Sequence, residues 1–199
     1  LDTAGNGMHL HLSVLDNLGD NIFNPQSDSC NSILKNAVGG LINTMKESTL
    51  IFAPHLNSYR RLKPGTHAPT SISWGYENRT ASVRIPGGLP ENTRIEHRVA
   101  GADANPYLVA AAILSGVLDG IEKKTIVSDP IDGDSYAKNL EQIPSSWKSA
   151  VSIFRSGAFN KTFYSDTFIE VFSSLKLQEF NTFADRMEDF EVATYLDAI

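Results

Sequence analysis

The sequence predicts an α+β fold in which antiparallel β-strands pack against helices, and two periodicities carry that expectation. Apolar and polar residues alternate strictly from Met8 to Val14, the pattern of a half-buried strand, whereas Ile33, Leu34, Ala37, Val38, Leu41, Ile42 and Met45 recur at helical spacing. A third observation places the chemistry. Four of the eight arginines, Arg79, Arg84, Arg94 and Arg98, fall within 78–98, and Arg60 and Arg61 lie shortly upstream. Arginine offers a permanently charged planar fork that grips phosphate or carboxylate oxygens two at a time, so the cluster points to an anionic small molecule.

On the first strand His9, His11 and Ser13 share one face, and Met8, Leu10, Leu12 and Val14 share the other. Turn formers at 16–20 send the chain back through 21–25 as a hairpin. Two strand histidines facing one way are either a polar surface or a ligand pair. Residues 31–52 should form a packing helix, with Gly39-Gly40 allowing a neighbour to come close. The polar run 57–69 is dense in turn formers and is expected as a loop over a site. Short strands are expected at 70–74 and 80–85. An extended segment at 94–98 would put Arg94, Glu96 and Arg98 on one face, either as a self-neutralising edge or as a metal carboxylate between phosphate-binding arginines.

Asn105-Pro106 is a helix start, with asparagine as cap and proline at the first helical position. The run that follows, YLVAAAILSGVLDGI, is apolar nearly all round and predicts a buried helix behind the arginine strands. A polar loop at 129–144 precedes helices expected at 145–155 and at 165–196, the second broken, peripheral and amphipathic.

With 199 residues the chain is long enough for one domain with a substantial core. The net charge of −6 is unevenly spread: 55–98 carries seven Lys/Arg against three Asp/Glu, and the rest carries 10 against 20. A phosphate backbone would be repelled by most of such a surface, which argues against nucleic-acid binding and for a focused anion pocket. The single cysteine, Cys30, can form no internal disulfide and suits a reducing, cytoplasmic setting. The longest apolar stretch, 107–118, is too short to span a bilayer. The N-terminus has neither an initiator methionine nor a signal pattern, so the chain is expected to be a piece of a longer one.

Five segments combine these signals: Gly5-Asn6-Gly7-Met8-His9-Leu10-His11-Leu12-Ser13, Asn57-Ser58-Tyr59-Arg60-Arg61-Leu62-Lys63-Pro64-Gly65, Asn78-Arg79-Thr80-Ala81-Ser82-Val83-Arg84-Ile85-Pro86, Arg94-Ile95-Glu96-His97-Arg98 and Ala104-Asn105-Pro106-Tyr107-Leu108. In order and spacing they resemble the glutamine synthetases, closely from Gly5 to about Lys124 and more loosely to the C-terminus. The resemblance implies the C-terminal part of a glutamine synthetase-type catalytic domain. Residues 1–124 would form the motif-bearing sheet and core helix, and 125–199 a C-terminal loop and helical region. It further implies a ligase that uses ATP and Mg²⁺ or Mn²⁺ to form a γ-glutamyl phosphate, which an amine then attacks. By resemblance His9 and Glu96 would ligate the metal, and His11, Ser13, Arg84 and Arg94 would bind ATP. Arg79 would stabilise the phosphoryl group in transfer, and Gly5, Arg61 and Arg98 would hold glutamate.

Three departures from the family pattern matter, two for the acceptor and one for regulation. Ammonia-using members carry Tyr-Glu-Ala-Pro where this chain has Thr66-His67-Ala68-Pro69, so His67 would serve as base for a primary amine or polyamine rather than bind ammonium. Ala4-Gly5 replaces the family's Asn-Gly, and Glu141 replaces a regulatory tyrosine of bacterial members. The resemblance implies that the family's N-terminal domain and the earlier half of its catalytic domain are missing from this chain. The 199 residues alone are therefore expected to be inactive, and the full-length protein to form a ring-type homo-oligomer. A non-catalytic relative, with the fold serving assembly or binding, is the alternative.

Overall fold

The computed structural model describes residues 5–26, 28–186 and 189–195, with backbone only at 28–30, 189–190 and 195. Its centre is a four-stranded sheet in the order β1 (Leu10–Leu12), β4 (Ile95–His97), β3 (Val83–Ile85), β2 (Trp74–Tyr76). The β1–β4 and β4–β3 pairs are antiparallel, as expected, while β2 runs parallel to β3, a pairing the sequence did not indicate. The expected strand at 70–74 likewise begins only at Trp74. Ahead of it Ile72 N donates to the Glu141 carbonyl and Ile143 N to the Thr70 carbonyl, so this segment pairs with the later loop instead.

The register makes each row across the sheet chemically uniform. One row runs His11, Glu96, Arg84, Gly75; the next runs Leu10, His97, Val83, Trp74. Successive strand side chains point to opposite faces, so the first row and its polar neighbours line one side and the second row lines the core. The hairpin after β1 forms as expected, with Ile22 N donating to the Val14 carbonyl and Asp16 N to the Asp20 carbonyl.

Helix α1 (Asp28–Phe52) lies against the core face, and its last residue, Phe52, packs on the His97 ring with centroids 4.4 Å apart. Helix α3 (Pro106–Glu122) starts as expected, with the Asn105 side chain accepting from Tyr107 N and Leu108 N. It packs on α1 rather than directly behind the arginine strands. It is not buried all round: Tyr107, Leu114 and Leu118 are exposed along one stripe while Val109, Ala112, Ile113 and Val117 are buried. The two helices meet backbone to backbone. A Cβ at Gly40 would collide with the Gly116 carbonyl and lie 2.6 Å from Gly120 Cα, and a Cβ at Gly116 would lie 2.7 Å from Thr44 Oγ1.

Residues 57–69 are not all loop. Leu56–Arg61 form a short helix, α2, whose Ser58 Oγ caps the His55 N–H. Beyond α3, helix α4 (Trp147–Ser156) is capped by Ser146, and a short α5 (Ala158–Phe163) was not anticipated. Helix α6 (Asp166–Ala184) packs on α4 through Phe168, Phe172 and Phe180 against Phe154 and Trp147. The expected break separates α6 from α7 (Asp189–Tyr195). The Cys30 and Phe190 side chains lie outside the described residues. Among the described residues no helix is long and apolar enough to cross a membrane.

Two expected outcomes follow from the core. Overpacking costs roughly 1–3 kcal/mol, and alanine's helix propensity offsets about 1 kcal/mol. Because the neighbours of Gly40 are backbone and cannot yield cheaply, Gly40→Ala should lower unfolding stability by about 2 kcal/mol, measured in urea. The second concerns His97, fully buried with both ring nitrogens unpartnered, whose pKa burial lowers from 6.5 to about 3. The unfolded state therefore binds the proton first. Between the unfolded and folded values wild-type stability should fall by about 1.4 kcal/mol per pH unit relative to His97→Leu, and not above that window. Parallel wild-type and variant stability curves below pH 6 would contradict it.

Candidate active site

Three strands deliver the polar row. Glu96 is buried in the middle strand, and its two oxygens are divided among the neighbours: Oε1 accepts from Arg98 Nη1 at 2.7 Å and faces His9 Nδ1 at 3.0 Å, and Oε2 accepts from Arg84 Nη1 at 3.0 Å. Burial pushes the Glu96 carboxyl up, but Arg98 and Arg84 outweigh it and hold the group below the usual carboxylate range. Partial burial and the Arg98 charge lower the His9 pKa, with Glu96 opposing, so at neutral pH the ring is neutral, the form that ligates a metal. Of the two sequence alternatives, charge neutralisation is the one this geometry displays. Glu96 does neutralise its flanking arginines, and it does so inside the fold rather than at an exposed edge.

Arg98 is 4% exposed and joins several segments. Besides Glu96 it approaches His9 Nδ1 at 3.4 Å, and its Nη2 donates to the Arg79 carbonyl at 2.9 Å and the His67 carbonyl at 3.4 Å. Arg79 and His67 therefore meet the site through their backbones, and both side chains are exposed. His67 adopts a left-handed backbone, φ 57°, uncommon for a residue with a Cβ. Arg94 Nε reaches His11 Nδ1 at 3.3 Å, and Ser13 follows, exposed, on the same side of β1.

Arg61 enters from α2. Its Nη2 donates to the Val99 carbonyl, its Nε is buried without a partner, and burial lowers its pKa while Asp103 opposes. The loop ahead of β1 closes on it: a Cβ at Gly5 would lie 2.5 Å from Arg61 Cγ, and one at Gly7 would lie 3.4 Å from His9 Nε2 and 3.9 Å from Arg61 Nη1. At Gly5 a side chain would therefore force Arg61 to shift, whereas at Gly7 it would meet only ordinary van der Waals contacts. The short β4–α3 connection fastens this loop, with Met8 N donating to the Ala100 carbonyl and Ala102 N to the Asn6 carbonyl.

Sequence reasoning missed two contributors. Glu77, between the strands expected at 70–74 and 80–85, sits at φ 51° and turns its carboxylate onto Arg84 Nη2 at 3.0 Å and onto the Gly87 N–H. These two donors lower its pKa. Asp103 accepts from Ser58 Oγ at 2.6 Å and ties α2 to the β4–α3 connection. Glu77 lies seven positions before Arg84 and outside either expected strand, so nothing in the local pattern pointed to it. A cavity of about 420 Å³ is lined by Ile42, Lys46, Glu141, Ile153 and others but by none of these residues. There Glu141 pairs with Lys46 at 2.8 Å.

The family model for the glutamine synthetase catalytic domain matches residues 1–195. The chain belongs to the glutamine synthetase family. It is 36% identical over 189 residues to a γ-glutamylputrescine synthetase of Escherichia coli, covering 95% of this chain and 40% of that protein. It is 32% identical over 209 residues to a glutamine synthetase of Sulfolobus acidocaldarius, covering 98% of this chain and 44% of that one. A solved GmaS/ADP complex superposes with a TM-score of 0.84 at 32% identity, over 97% of this chain and 46% of its own. This chain thus spans under half the length of these glutamine synthetase relatives.

Among the described residues no group of three or more His, Cys, Asp or Glu could hold a metal ion. The pair His9 and Glu96 fits a divalent cation in kind, a neutral imidazole beside an ionised carboxylate, but supplies two donors where such ions take about six. Removing Glu96 would leave Arg98 buried and uncompensated, which costs about 3–5 kcal/mol for a buried pair. Glu96→Ala should therefore lose about that much stability, and Glu96→Gln clearly less, by denaturant unfolding. Equal effects of the two would contradict a charge-based role.

Proposed function

We propose that this chain is the catalytic-domain portion of an ATP-dependent ligase that joins glutamate to an amine. The observation carrying the reading is the convergence of Arg84, Arg94, Arg98 and Arg61 with His9, His11 and Glu96 on one face of a four-stranded sheet. Phosphoryl transfer asks little covalent chemistry of a protein and much positioning of charge, which such a face provides. In the first step a γ-carboxylate oxygen of glutamate bonds to the terminal phosphorus of ATP and ADP leaves. In the second the amine nitrogen attacks the acyl carbon, phosphate leaves and the nitrogen loses a proton.

The chain's residues divide this work. Arg84 and Arg94, with His11 and Ser13, bind ATP, and Arg79 neutralises the phosphoryl group in transfer. Arg61 holds the α-carboxylate of glutamate beside Gly5, and Arg98 holds its γ-carboxylate and then the acyl phosphate. A divalent cation, Mg²⁺ or Mn²⁺, would supply charge neutralisation, with His9 and Glu96 as this chain's donors. The exposed His67 side chain takes the amine proton. An amine rather than ammonia is favoured by His67, in a segment where a cation-binding glutamate would otherwise be expected. In the whole protein, 1–124 supplies the motif-bearing sheet and core helix and 125–199 a C-terminal loop and helical region, other parts of the polypeptide complete the metal sites, and copies assemble as a homo-oligomer.

Two measurements test this. The isolated 199 residues should release no phosphate from ATP in the presence of glutamate, because two donors close no metal site. The full-length protein, assayed with ammonia and a panel of primary amines and polyamines, should turn over an amine. Turnover with ammonia alone would remove the argument from His67, and none with any acceptor would favour a binding or assembly role.

A further inference from the structure

The segment 66–69 carries two adjacent backbone carbonyls that are each held by a side chain from elsewhere. Arg98 Nη2 donates to the His67 carbonyl, and the hydroxyl of Tyr136 donates to the Ala68 carbonyl at 2.8 Å. Tyr136 lies 68 positions along the chain from Ala68, in a polar loop with little secondary structure of its own. That loop is nevertheless well fastened. Asn78 Nδ2 donates to the Ile131 and Gly133 carbonyls, and Ser135 bonds Thr80 twice, N to Oγ1 at 3.0 Å and Oγ to the carbonyl at 2.7 Å. Asp134 caps the single turn Ser135–Ala137 that carries the tyrosine.

Tyr136 is half-buried and close to the site. Burial and Asp134 push its phenol up while the Arg98 charge opposes them, so the hydroxyl remains a proton donor across neutral pH. Tyr136 and Arg98 therefore clamp consecutive carbonyls of one short segment. Immediately before the clamped carbonyls the backbone is held left-handed at His67, φ 57°, a conformation that persists only where the surroundings enforce it. Releasing the Ala68 carbonyl would let His67 relax and move its side chain relative to Arg98. Arg98 would keep its bonds to Glu96 and the Arg79 carbonyl.

We propose that Tyr136 is a positioning residue that sets the acceptor specificity of this site, by fixing the His67–Ala68 backbone beside Arg98. The proposal rests on the reading of 66–69 as the side from which the amine arrives. Its chemistry favours acceptors whose nitrogen fits one placement of His67, so primary amines differing in length or branching should be discriminated through this hydroxyl.

The test is Tyr136→Phe, which deletes one hydroxyl and keeps the ring, in the full-length protein. The expected result is a rise of roughly 3- to 10-fold in KM for the preferred amine, the worth of one hydrogen bond, with narrower discrimination across the amine panel. KM for ATP and for glutamate should stay within about twofold of wild type. A parallel rise in all three, or no change in any, overturns the assignment while the ligase reading stands. A wild-type protein that turns over no amine overturns both. A readout independent of activity is amide hydrogen exchange in the full-length protein. Tyr136→Phe should speed exchange at 66–68 and leave α1 and α3 unchanged, and unchanged exchange at 66–68 sinks the clamp.

Discussion

The structure depends on a buried ion pair. Arg98 and Glu96 sit on one strand, both nearly inaccessible to water, with Nη1 and Oε1 2.7 Å apart. Two charges so placed are tolerable only if their remaining hydrogen-bonding capacity is met, and here the surrounding segments meet much of it. His9 from β1, Arg84 from β3, and the carbonyls of Arg79 and His67 all turn toward this pair. One electrostatic requirement thereby gathers four segments that are far apart in sequence. Desolvation alone would make the arrangement costly, and the network is what makes it specific.

The sheet also works as a partition. Its alternation assigns His11, Glu96 and Arg84 to one face and Leu10, His97, Val83 and Trp74 to the other. His97 shows how strong the constraint is: standing between Glu96 and Arg98, it is nonetheless committed to the core, packed at a tilt on Phe52 and held neutral. Behind that face α1 and α3 approach until their backbones touch at Gly40, Gly116 and Gly120, which leaves the strands a stiff support. A rigid core under a charged face suits chemistry that depends on placing charge rather than on forming covalent bonds to the protein.

Loops complete the face. The Gly5–Gly7 backbone leans on Arg61 and His9, Glu77 doubles back from a left-handed residue to Arg84, and the loop carrying Tyr136 reaches across Thr80 to Ala68. Apart from Gly7 with His9 and Glu77 with Arg84, these contacts join segments distant in the chain. They explain why segments that individually have the composition of solvated loops are held in fixed places.

The sequence by itself determined the class of fold, the strand that pairs His9 with His11, the common face of Arg94, Glu96 and Arg98, the capped start of α3 and the family. Each rests on a short-range pattern: a period of two or of 3.6 residues, a capping residue, or motifs in fixed order. Tertiary structure decided what such patterns cannot carry. It made β2 parallel to β3, gave 56–61 a helical turn and left a stripe of α3 uncovered, because pairing partners and burial come from distant segments. It also recruited Glu77, Asp103 and Tyr136, whose parts depend on contacts with no periodicity. For the same reason the sequence could mark Glu96 only as edge or ligand, and the fold placed it under both arginines at once.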